Sequence, residues 1–365
     1  MMFQKTIFIL LFQLYLFASL GAQEKHNYQL GVNSGYGFII THSPGMRYIT
    51  AQHLEKFDAY FEKNTFGSAA WHQRYGFPQM GVSLTYFKLN NPNHLGNGFS
   101  LAPYLKFQLN KSQLFQLKLR TALGLGYLSQ KFHPQENFKN NAIGSHLNLF
   151  FSVCLGLDIP INKRLFFNIS TNFSHFSNTS FSKPNLGINI ASIEGGVAYS
   201  LGQKKDKKLI EEKAFIRKKG YWQVTSSIGI NEVDQTNRKK YIATALSFGR
   251  EKRLNYKSSL GGAFDLFYNA AQRVALQRKE IEVKPGWENL QSGFSIYHVL
   301  HFGNFGVLTQ AGYYFKTKDK ELGNFYHIVG GRVKINRQLH GFFALKTHFA
   351  RAEYLSIGIN YHLKK

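Results

Sequence analysis

A histidine and a serine two positions apart carry the clearest chemical signal in the chain, in the run SHFSN at residues 174–178. A serine hydroxyl is a weak nucleophile until a neighbouring imidazole accepts its proton. Residues i and i+2 of a β-strand project from the same face, so a strand here places His175 and Ser177 side by side. The spacing is compatible with a serine esterase site in which the His175 imidazole activates the Ser177 hydroxyl, and also with polar residues that only end a strand.

Such a pair needs a polar group that orients the imidazole and a donor that stabilises the developing oxyanion. The next strand-like segment, residues 188–201, offers Asn189 as the polar residue on its largely apolar face. Glu194 has the opposite parity and is expected on the other face of the sheet. Asn189 is therefore the expected third member of the triad, and Glu194 is the alternative acid if a bulge reverses the parity of that strand.

The elements that must position these residues are short segments in which apolar and polar side chains alternate, separated by polar or Gly/Asn-rich turns. Abundant aromatic residues and glycines, 34 Phe, 20 Tyr and 33 Gly, accompany this pattern. The combination is typical of a transmembrane barrel, and we predict an all-β, antiparallel barrel of the outer-membrane type with about 16 strands. The predicted strands lie near 28–40, 46–62, 79–89, 97–109, 113–128, 144–159, 163–177, 188–201, 221–232, 240–250, 257–268, 290–302, 304–316, 325–336, 340–350 and 353–363.

The two halves of the chain resemble each other. Residues 166–173, FFNISTNF, parallel residues 342–349, FFALKTHF. The repeat is compatible with one large barrel or with two eight-stranded barrels, and we expect the single barrel as the commoner solution. The second half is interpreted as a degenerate copy, because the alignment places Arg351 and Glu353 at the positions of His175 and Ser177.

The N-terminus has the pattern of a secretory signal peptide, with Lys5, an apolar run over residues 7–20, and the small pair Gly21-Ala22 before polar residues. The apolar run is shorter than the ~18 residues expected of a spanning helix. We therefore expect export and cleavage near Ala22. The expected organisation is a signal peptide at 1–22, the site-bearing half at 23–202, a charged linker at 203–220 and the second half at 221–365.

The formal net charge is +25. An exported barrel would not meet nucleic acid, so we expect no such partner. The basic residues are interpreted as solvated loops and turns, or as a means of attracting anionic lipid headgroups.

Strand parity also predicts where the site lies in the membrane. In residues 165–177 the face that carries His175 and Ser177 is largely apolar and is expected to face lipid, whereas the other face is polar and should line the barrel interior. Counted from a periplasmic start, this seventh strand runs outward, so its end lies at the depth of the outer leaflet. Phe173 would then lie beside the acyl chains of a lipid substrate, and Lys183 in the following loop would meet a lipid phosphate.

The run His175-Phe-Ser177-Asn178, followed by Lys183-Pro-Asn-Leu-Gly-Ile-Asn189, resembles the PagL family of outer-membrane lipid A 3-O-deacylases over about residues 24–202. Members of that family carry a Ser-His-Glu triad on the outer surface of an eight-stranded barrel and need no metal. The resemblance implies that lipid A of lipopolysaccharide, in the outer leaflet, is the substrate. It also implies that Ser177 is the nucleophile, His175 the base and Asn178 a contributor to the oxyanion hole, with no cofactor or metal.

One position departs from that family, because Asn189 stands where its acid is expected. An asparagine can hold the tautomer and orientation of the imidazole but stabilises the imidazolium less than a carboxylate does. A Ser-His-Asn set is also similar to the outer-membrane phospholipase A family, so a phospholipid hydrolase is one alternative. A non-catalytic barrel, acting as a pore or in adhesion, is the other.

Overall fold

The structure is a computed structural model. The signal peptide and the cleavage site near Ala22 that the sequence predicts lie outside the residues that it describes. Those residues are 28–41, 43–50, 52–112, 114–202, 206–211, 214–216, 219–235, 238–284, 289–349 and 351–363.

The described residues form sixteen strands in two closed antiparallel barrels, which confirms the predicted all-β class. In the first barrel, strand β1 pairs with both β2 and β8. Its strands are β1 (Tyr28–Ile39), β2 (His53–Asn64), β3 (Gln79–Asn91), β4 (Gly96–Gln108), β5 (Gln116–Leu128), β6 (Leu147–Pro160), β7 (Leu165–Ser177) and β8 (Ile188–Leu201).

The second barrel closes in the same way, because β9 pairs with both β10 and β16. Its strands are β9 (Tyr221–Asn231), β10 (Tyr241–Arg253), β11 (Ser258–Asn269), β12 (Leu290–Phe302), β13 (Phe305–Lys316), β14 (Phe325–Lys334), β15 (Leu339–His348) and β16 (Arg351–His362).

The expected single large barrel is not confirmed. Tyr28 of β1 lies opposite Leu201 of β8, so the first sheet closes before the second begins. The second sheet closes separately, with Ser356 of β16 opposite Gly229 of β9. Eight strands enclose an interior that side chains can fill, which makes each half of the repeat a complete barrel.

Charged and polar side chains fill the first barrel. Buried Arg120 pairs with Asp58 at 2.9 Å, and buried Lys106 pairs with Glu62 at 2.9 Å. Such charges are tolerated in an interior only when they are paired and hydrogen-bonded. The outward positions of the same strands carry exposed apolar residues, as outer-membrane barrels require.

Buried ion pairs also lie inside the second barrel. Arg332 pairs with Glu251 at 2.7 Å, and Lys346 pairs with Glu353 at 2.6 Å. Arg351 and Glu353 lie on β16 rather than β15, because β15 already ends at His348. The sequence alignment that matched them to His175 and Ser177 therefore pairs residues of different strands.

Among the described residues two short α-helices accompany the barrels, α1 (Ala70–Arg74) and α2 (Ala270–Gln277). Within the described ranges, helices that are long and apolar enough to cross a membrane are absent. Strand β2 begins seven residues later than predicted, because a 3-10 turn at Pro44–Met46 precedes it. Met46 is buried there, and its carbonyl oxygen accepts a 2.8 Å bond from the Thr50 hydroxyl.

By their contacts, the residues divide into two compact units. The first consists of Met1–Gln130, His146–Phe176 and Ile188–Ile210. The second consists of Lys131–Ser145, Ser177–Gly187 and Glu211–Lys365. The segment Ser177–Gly187, which begins at the last residue of β7, therefore clusters with the residues of the second unit; we call it the catalytic loop.

Candidate active site

His175 and Asn189 form the base of the candidate site. They are direct partners in the antiparallel pairing of β7 with β8. Imidazole Nδ1 lies 2.6 Å from the Asn189 Oδ1 atom. Since an amide oxygen can only accept a hydrogen bond, Nδ1 carries the proton and Nε2 is the basic nitrogen. The cross-strand pair thus fixes the tautomer that a general base needs.

Ser177 is the last residue of β7, two positions beyond His175. Its hydroxyl exchanges hydrogen bonds with the side chain of Asn185, at 3.2 Å to Oδ1 and 3.0 Å from Nδ2. The Asn185 Oδ1 atom also accepts a 2.9 Å bond from the main-chain N–H of Asn178. The Asn185 side chain therefore connects the candidate nucleophile by hydrogen bonds to the part of the catalytic loop that leads back to β8.

The sequence alone predicts no role for Asn185. Asn185 lies in the Pro-Asn-x-Gly-Ile run. No residue pattern near it indicates that the loop turns back and brings its side chain to Ser177. The backbone makes this turn through Thr179 and Ser180, whose φ angles of 56° and 66° are in the left-handed region. Non-glycine residues adopt that region rarely, so propensity alone would not predict the path.

Asn178, the expected contributor to the oxyanion hole, is buried, and its side chain forms hydrogen bonds with other residues of the second unit. Its amide nitrogen donates to the Ser145 hydroxyl at 2.9 Å and to the Ser182 carbonyl oxygen at 2.8 Å. Its Oδ1 atom accepts a 3.3 Å bond from the Ser182 main-chain N–H. Both side-chain N–H groups are thus engaged in holding the loop.

Glu194, the alternative acid, lies away from the histidine. It is five positions beyond Asn189 on β8, which corresponds to about 17 Å along the strand. Its carboxylate is buried, pairs with Lys56 and accepts a 3.1 Å bond from the Ser192 hydroxyl. The structure brings Asn189 to His175 and leaves Glu194 among the charges of the barrel interior.

Phe173 lies on the outward side of β7, with 38% of its surface exposed. Phe167 and Ile169 on the same strand are exposed to 41% and 44%, whereas the intervening Asn168 and Asn172 are buried. The alternation continues to the end of the strand, so His175 and Ser177 have the parity of the apolar outer surface.

Lys183 lies half-buried in the catalytic loop. Its ammonium donates a 3.0 Å bond to the Ser180 hydroxyl. Burial, together with the nearby Arg351 guanidinium, lowers the pKa of Lys183 below its ordinary value of 10.5, and Glu232 partly offsets this. Lys183 and Arg351 together make a positively charged part of the second unit.

A basic imidazole nitrogen, a hydroxyl on the same strand and an amide donor are the parts that acyl transfer requires. Residues 55–198 match the family model of the lipid A 3-O-deacylase, PagL, and residues 220–365 match that of the acyloxyacyl hydrolase C-terminal domain. Fold and family matches together define an outer-membrane β-barrel enzyme that hydrolyses carboxylic esters. The chain belongs to the PagL family of lipid A 3-O-deacylases, with lipid A deacylation as its role.

Several solved barrels are similar to the chain. The outer membrane enzyme PagL is 15% identical over 46% of this chain and 97% of its own, with a TM-score of 0.32. Neisserial surface protein A is 9% identical over 47% and 96%, also with a TM-score of 0.32. A mutant Rh. blastica porin is 7% identical over 92% and 99%, with a TM-score of 0.18. No curated protein sequence matches the chain.

Proposed function

We propose that the protein removes the 3-O-linked acyl chain of lipid A as a serine esterase, through a Ser177-His175-Asn189 triad on the lipid-facing side of the first barrel. The 2.6 Å bond between His175 Nδ1 and Asn189 Oδ1 is the observation that carries this proposal. It leaves Nε2 as the basic nitrogen on the strand that ends in Ser177.

In the proposed reaction, His175 Nε2 takes the proton of the Ser177 hydroxyl as Oγ attacks the ester carbonyl carbon. The tetrahedral intermediate collapses when the imidazolium gives that proton to the departing sugar oxygen, which leaves an acyl-enzyme on Ser177. Water, deprotonated by the same imidazole, then releases the fatty acid and restores the serine. Asn189 keeps the ring in one tautomer throughout.

The oxyanion needs a hydrogen-bond donor near the reacting carbonyl. We assign this role to the Asn185 amide, whose Nδ2 atom lies 3.0 Å from Ser177 Oγ. Asn178, the contributor expected from the sequence, supports the site through the bond from its main-chain N–H to Asn185 Oδ1. The two asparagines then act together: Asn185 is the donor, and Asn178 fixes the orientation of the Asn185 side chain.

The substrate would lie with its acyl chain along the exposed Phe173 and Phe167 and with a phosphate towards Lys183. The apolar rings remove the chain from water, and the ammonium offers charge to the phosphate. This orientation places the sugar ester at the end of β7, where the candidate nucleophile lies.

The test is mass spectrometry of lipid A from cells that express the wild-type protein or the Ser177→Ala variant at equal outer-membrane levels. Loss of one hydroxyacyl mass with the wild type alone supports the reaction and the nucleophile. Unchanged lipid A in both cultures would overturn the proposal. Release of fatty acid from phospholipid vesicles would then favour the phospholipase alternative, and ion conductance without hydrolysis would favour a pore.

A further inference from the structure

We infer that Glu232, which follows strand β9, is a positioning residue for ester hydrolysis, because it holds the catalytic loop that presents Asn185 to Ser177. This inference rests on the proposed function. All the contacts that carry it lie within the second compact unit, which contains Ser177–Gly187 together with Glu211–Lys365.

Glu232 forms hydrogen bonds with the backbone of the catalytic loop at two points. Its carboxylate Oε2 atom accepts a 2.6 Å hydrogen bond from the main-chain N–H of Lys183. Its own main-chain N–H donates a 3.0 Å bond to the carbonyl oxygen of Ser180. The residue is only 3% exposed, so water competes little for either bond.

Lys240 completes this arrangement. Its ammonium lies 2.6 Å from the Glu232 Oε1 atom, which compensates the buried carboxylate charge. The same ammonium donates to the carbonyl oxygen of Phe181 and lies 4.0 Å from the centre of the Phe181 ring. One ion pair from the β9–β10 connection therefore contacts three residues of the loop.

A further contact comes from the beginning of β16. The Ser180 hydroxyl donates a 2.7 Å bond to the carbonyl oxygen of Ala352. Ser180 and its neighbour Thr179 both have positive φ angles, a conformation that persists only where the surroundings impose it. The contacts of Glu232 and Ala352 supply those surroundings.

Few residues separate the backbone group that Glu232 binds from the side chain that contacts Ser177. Lys183 and Asn185 are separated only by Pro184, whose ring restricts the backbone between them. Fixing the Lys183 N–H therefore restricts the position of Asn185, whose amide contacts the Ser177 hydroxyl. Residues 220–365, which match their own family model, thereby gain a part in the reaction although the nucleophile and base lie on β7.

The test compares purified full-length wild type with Glu232→Ala, Glu232→Gln and a control, Glu321→Ala, which removes an exposed glutamate that pairs with Lys279. Glu232→Ala should lower kcat for lipid A deacylation by roughly 10–100-fold with KM changed far less, because misplaced groups reduce rate rather than binding. Glu232→Gln retains an acceptor for the Lys183 N–H and should recover most of kcat. Glu321→Ala should match the wild type.

A wild-type kcat for Glu232→Ala, while Ser177→Ala is inactive, would overturn the inference and leave the proposed function intact. If the alanine variant does not fold, Glu232→Asp replaces it; the shorter side chain should also lower kcat, and an unchanged kcat would overturn the inference equally. Folding is checked by the heat-dependent mobility of the barrel on gels.

A second readout separates the two proposals. Amide hydrogen exchange of residues 178–187 should quicken in Glu232→Ala and remain slow in Glu321→Ala, whatever the substrate. Faster exchange in Glu232→Ala, combined with a wild type that does not deacylate lipid A, would support the loop contact and overturn the proposed function. Unchanged exchange in Glu232→Ala would overturn the inference even if the enzyme is active.

Discussion

His175 on β7 and Asn189 on β8 lie directly opposite each other, and the imidazole Nδ1 atom is 2.6 Å from the Asn189 amide oxygen. In the proposed triad, an asparagine takes the place of the carboxylate. It can hold the tautomer without charge, so the site separates the orientation of the imidazole from the electrostatic stabilisation of the imidazolium.

Replacing Asn189 tests that separation. Asn189→Ala should lower kcat by roughly 100-fold or more, because the ring loses its fixed tautomer. Asn189→Asp keeps an acceptor and adds a charge that stabilises the imidazolium, so it should retain far more activity than the alanine variant. Steady-state kinetics on lipid A in detergent micelles measures both, and an Asn189→Ala enzyme at wild-type rate would remove Asn189 from the triad.

Glu194 should behave in the opposite way. Its carboxylate neutralises buried Lys56, so Glu194→Gln leaves an uncompensated charge in the barrel. Breaking such a pair destabilises a fold by about 3–5 kcal/mol. We expect a lower midpoint of thermal unfolding but little change in the kcat of the folded fraction. A large loss of kcat at unchanged stability would show that Glu194, not Asn189, serves the histidine.

Sequence periodicity predicted the strands well because it is a local property. The alternation over Leu165–Ser177 needs only the two faces of one strand, and all sixteen described strands overlap their predicted ranges. Closure depends on pairing between distant residues, as between Tyr28 and Leu201, and periodicity holds no information on that pairing. Two barrels could therefore not be told from one.

The candidate site likewise contains residues that a local sequence pattern predicts and residues that it does not. His175 and Ser177 are neighbours on one strand, and parity placed Asn189 on their side of the sheet. Asn185 and Glu232 depend on the path of the catalytic loop through its positive φ angles. Glu232 is also 49 residues from Lys183 in the chain, a separation at which no motif could connect them.

The Asn185 amide should stabilise the transition state rather than the bound substrate. Asn185→Ala removes the donor that lies 3.0 Å from Ser177 Oγ, and we expect kcat to fall by roughly 10²–10³-fold with little change in KM. Asn185→Asp presents an acceptor in place of the donor and should be at least as damaging. If KM rises and kcat holds in Asn185→Ala, the amide binds substrate and is no part of the oxyanion hole.

Lys183 should give the reaction an alkaline limit. A lysine is charged below its pKa, and burial beside Arg351 lowers the pKa of Lys183 below 10.5, so its charge is lost at a lower pH than for a free lysine. KM for phosphorylated lipid A should therefore rise as pH increases towards that lowered value. Lys183→Arg stays charged and should keep KM low over the same range, whereas Lys183→Gln should show a high KM at every pH. Dephosphorylated lipid A is the control substrate, and an identical alkaline rise of KM with that substrate would show that Lys183 does not meet a phosphate.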